Sequence, residues 1–140
     1  MSSTRTPREV GEAWFNQMWN KRDTALIREL MVPEAVGHLE GGIDVVGPDG
    51  FEAFMRDFLS AVPDLKLDVK NMVSDEDDVC VHWRATGTHT GAGLGLPASD
   101  AAVDFQGVTW LRIKNGKLVE GWDFWNRDGL LQTMSGVVPA

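Results

Sequence analysis

The chain has 140 residues with a formal net charge of −8 at pH 7, and 43% of the residues are hydrophobic. This length and composition are typical of one globular domain with a substantial core. The negative charge argues against nucleic acid or an anionic membrane as a partner, because both require a basic surface. No apolar run approaches a membrane span, and the N-terminus lacks a signal-peptide pattern, so a cytoplasmic protein is expected.

Two helices are predicted at the start of the chain. Thr6 suits the N-cap position, Pro7 the first helical position, and Glu9 completes a capping box. Apolar residues then recur at helical spacing to about Lys21. A second, shorter helix is predicted over residues 23–33, with its cap at the first of these residues and a proline at the last.

A third helix is predicted from Pro48, after a segment over residues 34–46 that is predicted to be irregular or a short strand. Its apolar positions follow the i, i+3, i+4, i+7, i+8 pattern of a helix that faces a core. This apolar stripe contains Phe51, Phe54, Met55, Phe58 and Leu59.

Strands dominate the rest of the chain. Residues 65–70 alternate strictly between apolar and polar, and residues 79–89 predict the next strand. The acidic turn between them, residues 75–78, lacks the spacing of a calcium loop. The glycine-rich residues 91–97 open no helix and so do not predict a phosphate-binding loop. Residues 128–132 predict a short helical turn.

The last hairpin, residues 101–126, turns at Asn115-Gly116, which is the strongest short hairpin signal. Two registers are open. A two-residue loop would place Thr109 opposite Trp122, whereas a type I turn with a glycine bulge would place Thr109 opposite Gly121. The bulged register is favoured because it sorts the side chains better between the two faces.

One face of this hairpin is apolar, with glycines that leave space and a single carboxylate, Asp123. A carboxylate on an apolar face has either a hidden partner or a chemical role. Desolvation by neighbouring aromatic residues would raise its pKa toward neutral and suit it to acid/base chemistry. The alternative is a structural aspartate satisfied by backbone N–H groups or by a dimer partner. The face comprises Val103, Phe105, Gly107, Thr109, Leu111, Val119, Gly121, Asp123 and Trp125.

The opposite face carries too many aromatic residues for an exposed surface, which predicts a homodimer through the sheet. Its aromatic residues are Trp110, Trp122 and Phe124, with Gln106, Arg112 and Glu120 as polar contacts.

The three histidines lack metal-ligand spacing, so no metal site is predicted. His89 adjoins the glycine-rich loop, where it either reaches the pocket mouth or, as we favour, holds the loop by a hydrogen bond. His38 lies in the irregular segment and is a candidate pocket residue. His82 and Arg84 share a strand face opposite Trp83, and so would point outward or into a dimer interface.

Helices followed by strands with short connections predict an α+β fold, in which the helices pack on one side of an antiparallel sheet. A twisted sheet wrapped around a long amphipathic helix forms a cone with a pocket at its mouth. The whole chain, residues 1–140, is predicted to be one domain.

The sequence resembles the SnoaL-like polyketide cyclases of the nuclear transport factor 2-like superfamily. The resemblance implies a curved antiparallel sheet with three helices, an apolar cavity, a homodimer, and no metal or organic cofactor. The matching segments are Val62-Pro63-Asp64, Gly87-Thr88-His89-Thr90-Gly91, Gly95-Leu96-Pro97-Ala98-Ser99, the run from Arg112 to Glu120, and Trp122-Asp123.

The resemblance also implies a site. The family's catalytic acid/base aspartate falls on Asp123, and its histidine partner falls on Thr109. Threonine can hydrogen-bond but cannot hold a proton near neutral pH. A second departure is Asn126, where the family pattern ends in an aspartate.

Three functions are therefore considered. The leading one is a cofactor-independent enzyme that acts on a hydrophobic, carbonyl-bearing molecule through Asp123. The second is a non-catalytic module that binds a small apolar ligand or dimerises. The third is epoxide hydrolysis. The resemblance implies that it needs a second aspartate and an arginine on an inner strand, and it ranks lower because the sequence shows no convincing aspartate beside Arg84. Residues expected to bind the substrate are Trp14, His38, Trp83, His89, Phe105, Thr109 and Trp125.

Overall fold

The computed structural model describes residues 4–135. The described chain forms four α-helices, a π-helical continuation of the first of them, and six strands. The helices are α1 (Pro7–Glu12), the π-helical segment (Ala13–Trp19), α2 (Ala25–Leu30), α3 (Gly47–Ala61) and α4 (Arg127–Ser135). The strands are β1 (Met31–Leu39), β2 (Ile43–Val46), β3 (Lys66–Ser74), β4 (Asp78–Thr88), β5 (Ala102–Lys114) and β6 (Lys117–Trp125).

The capping box at the start of α1 is confirmed. The hydroxyl oxygen of Thr6 accepts from the backbone N–H of Glu9 at 3.2 Å, and the Glu9 carboxylate accepts from the Thr6 N–H at 2.9 Å. From Ala13 the helix widens into π-helical turns, a local form often found beside functional sites. This segment supplies three cavity-lining side chains, Trp14, Phe15 and Trp19.

Helix α2 is shorter than predicted. It begins after Thr24 rather than Asp23, without a side-chain cap, and it ends at Leu30. Met31 already has extended backbone angles and pairs with Leu118, because the chain enters the sheet at that point. Pro33, which was predicted to end the helix, therefore lies within β1.

The predicted α+β fold with a curved sheet is confirmed, although one pairing is parallel. The strand order is β2-β1-β6-β5-β4-β3, and each neighbouring pair is antiparallel except β1 with β6. The segment predicted to be irregular or a short strand forms most of β1 and the whole of β2. Its pairing with β6 brings an N-terminal strand beside the last hairpin.

The predicted hairpin register is wrong. The loop holds two residues, Asn115 and Gly116, with φ values of 54° and 76°, as a type I′ turn requires. A bulge follows at Val119, and beyond it Thr109 stands opposite Asp123 rather than Gly121. Because this slip equals two residues, Thr109 and Asp123 still share one face. On the turn side of the bulge the prediction is wrong, because Leu118 rather than Val119 lies on the cavity face.

The concave face of the sheet and the helices enclose the core. From α3, Phe51, Met55 and Phe58 are buried against it. Between residues 4 and 135, no helix is long and apolar enough to cross a membrane. Within the same residues, no group of three or more His, Cys, Asp or Glu side chains is placed to hold a metal ion. This applies also to the acidic turn before β4.

Candidate functional site

A cavity lies between the concave face of the sheet and the helices. Its empty space, including the open mouth, amounts to about 700 Å³. Asp123 is the only titratable side chain among the described residues that line it. Half of the lining residues are aromatic: Trp14, Phe15, Trp19, Phe51, Phe54, Phe58, Trp83, Phe105, Trp122 and Trp125.

Three side chains form a hydrogen-bonded chain in this wall. The indole N–H of Trp83 donates to the hydroxyl oxygen of Thr109 at 2.9 Å. The Thr109 hydroxyl in turn donates to Oδ1 of Asp123 at 2.7 Å. An indole nitrogen can only donate, so the threonine hydrogen must point at the carboxylate. The chain therefore fixes the orientation of the carboxyl group.

Strand pairing places these groups together. Thr109 stands opposite Asp123 on β6 and opposite Val81 on β4, while Trp83 pairs with Gly107. A Cβ atom on Gly107 would lie only 2.5 Å from Cζ2 of Trp83 and 2.8 Å from Cβ of Trp125. The missing side chain at Gly107 thus lets the Trp83 ring lie across β5 and reach Thr109.

The surroundings of Asp123 change its proton affinity. Burial among apolar side chains raises the pKa of Asp123 from 3.8 to about 6. The hydrogen bond from Thr109 lowers that pKa, and the negative charge of Glu40 raises it. Both protonation states of Asp123 are therefore accessible near neutral pH, as an acid/base group requires.

Glu40 was not anticipated from the sequence. It follows the end of β1, and its Oε2 accepts a hydrogen bond from the backbone N–H of Trp125 at 3.2 Å. The available signal was a lone carboxylate within the apolar and glycine-rich run from Val36 to Ile43. Position alone did not show that β1 pairs with β6, and that pairing brings Glu40 to Trp125.

Five of the seven residues expected to bind substrate line the cavity: Trp14, Trp83, Phe105, Thr109 and Trp125. The Phe105 and Trp125 rings lie 5.1 Å apart, centroid to centroid. Residues of the α3 stripe that were attributed to the core also line the cavity. Of these, Phe58 contacts Trp125 with a centroid distance of 6.0 Å.

His38 lies outside this cavity, contrary to the prediction. Alternation along β1 turns Gly37 and Leu39 toward the cavity and His38 toward the outer face of the sheet. There its Nε2 contacts the Glu120 carboxylate at 2.8 Å and its Nδ1 contacts Asp44 at 2.9 Å. The hydrogen bonds to Glu120 and then Asp44 raise the pKa of His38.

His89 is likewise absent from the cavity wall. It is fully buried, and its Nδ1 lies 2.8 Å from the Ser99 hydroxyl. Its backbone N–H donates to the carbonyl of Ala101 at 2.9 Å, and its carbonyl accepts from Asp100 at 2.8 Å. These contacts match the favoured alternative, in which His89 holds the glycine-rich loop.

The arrangement expected of an epoxide hydrolase is not found around the cavity. Arg84 lies on the outer face and forms an ion pair with Asp104, at 2.8 Å from Nε to Oδ1. The described cavity wall contains neither an arginine nor a second aspartate beside Asp123.

The chain was also compared with known proteins. The family model of SnoaL-like polyketide cyclases matches residues 11–134. The chain belongs to this family. A comparison with curated proteins finds no significant match.

Solved structures agree with the family assignment. A proposed SnoaL-like polyketide cyclase from Jannaschia sp. CCS1 is 26% identical, with 100% of this chain and 99% of that chain covered and a TM-score of 0.88. AclR, a proposed hydroxylase from Streptomyces galilaeus, is 30% identical, with 96% and 85% covered and a TM-score of 0.79. IdmH, a proposed polyketide cyclase from Streptomyces antibioticus, shares the fold at 24% identity, with 91% and 96% covered and a TM-score of 0.79.

Proposed function

We propose that this SnoaL-like protein is a cofactor-independent acid/base enzyme. Its substrate would be a hydrophobic small molecule with a carbonyl group, and its reaction an aldol-type ring closure. The observation that carries the proposal is the position of Asp123: a lone carboxyl group in an aromatic cavity, hydrogen-bonded through one oxygen to Thr109.

The two oxygens of Asp123 have different roles in this mechanism. Oδ1 accepts the hydrogen bond from Thr109, whereas no group among residues 4–135 donates to Oδ2. Oδ2 would take a proton from the carbon next to the substrate carbonyl and leave an enolate. The enolate carbon would attack a second carbonyl carbon, and the resulting alkoxide would take the proton back from Oδ2. Asp123 ends as a carboxylate, so the cycle balances.

Thr109 acts here as a positioning residue. It cannot carry a proton at neutral pH, so Asp123 would serve first as base and then as acid. The hydroxyl also stabilises the carboxylate form, because it donates to Oδ1. The flat aromatic walls would hold the substrate in its folded shape and supply the proximity that ring closure requires.

The proposal can be tested without knowing the natural substrate. 2-Tetralone is a flat hydrophobic ketone with acidic hydrogens next to its carbonyl. We expect the protein to accelerate deuterium exchange at that carbon in D₂O, as followed by NMR. Asp123→Asn should abolish the acceleration, since an amide cannot accept the proton.

Asp104→Asn is the matched control, because Asp104 is an exposed aspartate on the outer face that pairs with Arg84. Its exchange rate should equal that of the parent. Undiminished acceleration in a folded Asp123→Asn variant would contradict the role of Asp123 as the base. No acceleration by the parent protein would favour a non-catalytic binding module.

We also propose that the protein is a homodimer joined through the outer face of the sheet. Trp110 and Phe124 on that face are 39% and 53% exposed, which is high for large aromatic side chains. Trp122 contacts Trp110 beside them and lies under the Arg112 guanidinium at 5.2 Å. An aromatic centre with arginine and carboxylates around it is typical of protein interfaces.

A further inference from the structure

A second chamber adjoins the cavity that contains Asp123. The two spaces share four lining residues, Leu39, Phe54, Phe58 and Trp125, so they are adjacent. The outer chamber encloses about 570 Å³ including its opening. The first turns of α4 close its far side with Leu130 and Leu131.

The outer chamber differs from the inner cavity in its charged walls. Glu40, Asp57 and Arg127 line it together with the apolar residues. Arg127 has no hydrogen-bond or ion-pair partner within the described part of the chain. A Cβ atom on Gly41 would lie 3.0 Å from Cδ of Arg127 and 3.5 Å from its Nε, so the side chain packs flat over that glycine.

Both carboxylates of the chamber are only partly used. Oε2 of Glu40 accepts from the Trp125 N–H, and Oδ1 of Asp57 accepts from the Leu94 N–H at 3.1 Å. Asp57 is exposed, whereas Glu40 and Arg127 are half-buried. Glu40 and Arg127 form no ion pair with each other, although both line the same space. The chamber thus presents free guanidinium donors and a free carboxylate oxygen as acceptor.

We propose that the outer chamber is a subsite for a neutral, hydroxyl-bearing substituent of the ligand. Its hydroxyl oxygen would accept from Arg127, and its hydrogen would go to Glu40. An anionic substituent would be repelled by Glu40 and Asp57. A purely apolar substituent would cover the charged groups without giving them a hydrogen-bond partner, which is unfavourable. The proposal rests on the proposed function, since it assumes that the aromatic body of the same ligand occupies the inner cavity.

Three naphthalenes with one ring system and different arms test this. They are 2-(2-naphthyl)ethanol, 2-ethylnaphthalene and 2-naphthylacetic acid, each titrated by calorimetry. We expect the alcohol to bind about tenfold more tightly than the ethyl compound, because each hydrogen bond to a charged group stabilises the complex. The acid should bind more weakly than the alcohol.

Substitutions then show which side chains cause the preference for the alcohol over the ethyl compound. Arg127→Met and Glu40→Gln should each lower the alcohol-to-ethyl preference to about threefold, since each removes one of the two hydrogen bonds. Lys70→Met, which removes an exposed charge on β3, should leave the preference unchanged. The proposal is overturned if the alcohol has no advantage, if none of the three compounds binds, or if the acid binds most tightly.

These outcomes are separate from those of the proton-transfer test. The ethyl compound reports on the inner cavity alone, and the ratio of alcohol to ethyl binding reports on the outer chamber. If the ethyl compound binds but the alcohol binds no more tightly, the subsite proposal is wrong and the proposed role of Asp123 is unaffected. Conversely, undiminished deuterium exchange in Asp123→Asn would remove the acid/base role and leave the binding preference intact.

Discussion

Thr109 and Asp123 stand directly opposite each other on β5 and β6, and the threonine hydroxyl donates to Oδ1 of the carboxylate at 2.7 Å. The same hydroxyl oxygen accepts from the indole N–H of Trp83. Because the Thr109 oxygen already accepts from Trp83, its hydrogen points at the carboxylate. This hydrogen bond therefore holds the carboxylate in one orientation. The second oxygen, Oδ2, accepts no hydrogen bond from residues 4–135 and is the atom proposed to carry the proton.

Replacing Thr109 by valine should raise the pKa of Asp123 above its present value of about 6, because the hydrogen bond that lowers it is lost. The variant should also lose about 1–3 kcal/mol of stability, since the buried Trp83 N–H loses its acceptor. Thr109→Ser, which keeps the hydroxyl, is the control. A ¹³C NMR titration of the Asp123 carboxyl group measures the first effect, and an unchanged pKa in the valine variant would contradict it.

Stability should depend on pH through Asp123. Its pKa is raised on folding from 3.8 to about 6, so the folded state binds the proton more tightly than the unfolded state. The contribution is fully present below pH 3.8 and is lost as pH rises through about 6, up to about 3 kcal/mol in total. Urea unfolding at several pH values should show Asp123→Asn gaining stability relative to the parent over this range.

Deuterium exchange at 2-tetralone should follow the same group. The carboxylate form is the base, so the exchange rate should rise with pH through about 6 and then level off. A rate that is already constant above pH 5 would indicate the ordinary aspartate pKa of 3.8.

A substitution at Glu40 should shift the midpoint of the Asp123 titration without changing a residue that lines the inner cavity. Glu40→Gln keeps an oxygen that can accept from the Trp125 N–H but removes the negative charge that raises the pKa of Asp123. The midpoint of Asp123 should therefore move to lower pH. Glu34→Gln, an exposed residue on β1, is the control and should leave the midpoint in place. Equal midpoints in both variants would exclude electrostatic coupling between Glu40 and Asp123.

The side-chain pattern of the last hairpin predicted correctly that Asp123 and Thr109 share an apolar face. Strand periodicity is two, so a register error of two residues leaves the faces unchanged beyond the bulge, from Glu120 onward. Their direct pairing was not predictable, because Leu118 and Val119 are both apolar and the sequence does not show which of them forms the bulge. Pairing partners across the hairpin depend on that bulge.

The position of His38 shows a second limit. Its neighbours Gly37 and Leu39 gave no indication of which face β1 turns to the helices. That choice is fixed by the parallel pairing of β1 with β6, where His38 stands opposite Trp122. This is a contact between residues far apart in sequence, and local periodicity carries no information about it. The capping box of α1, by contrast, involves only Thr6 and Glu9 and was predictable.

The space left by Gly107 can be tested by filling it. Gly107→Ala would place a methyl group 2.5 Å from the Trp83 ring, so the ring must move and its N–H would leave Thr109. We expect the free energy of unfolding to fall by about 1–3 kcal/mol. We also expect the wavelength of the tryptophan fluorescence maximum to change. Gly50→Ala in α3, whose added Cβ would lie 3.5 Å from Val45, should be neutral or slightly stabilising. Equal stability of the two variants would contradict the account of Gly107.

The proposed homodimer leads to the last prediction. One row of side chains crosses the outer face of the sheet from His38 through Trp122 and Trp110 to Cys80. Trp110→Glu would add a charge at the centre of this row and should convert the dimer to a monomer, because an unpaired charge buried between two sheets is strongly disfavoured. Sedimentation velocity at several protein concentrations measures the change. Ala53→Glu adds the same charge on the exposed surface of α3 and should leave the dimer intact. If the parent protein sediments as a monomer at all concentrations, the interface proposal is wrong, and the exposed aromatic residues need another explanation.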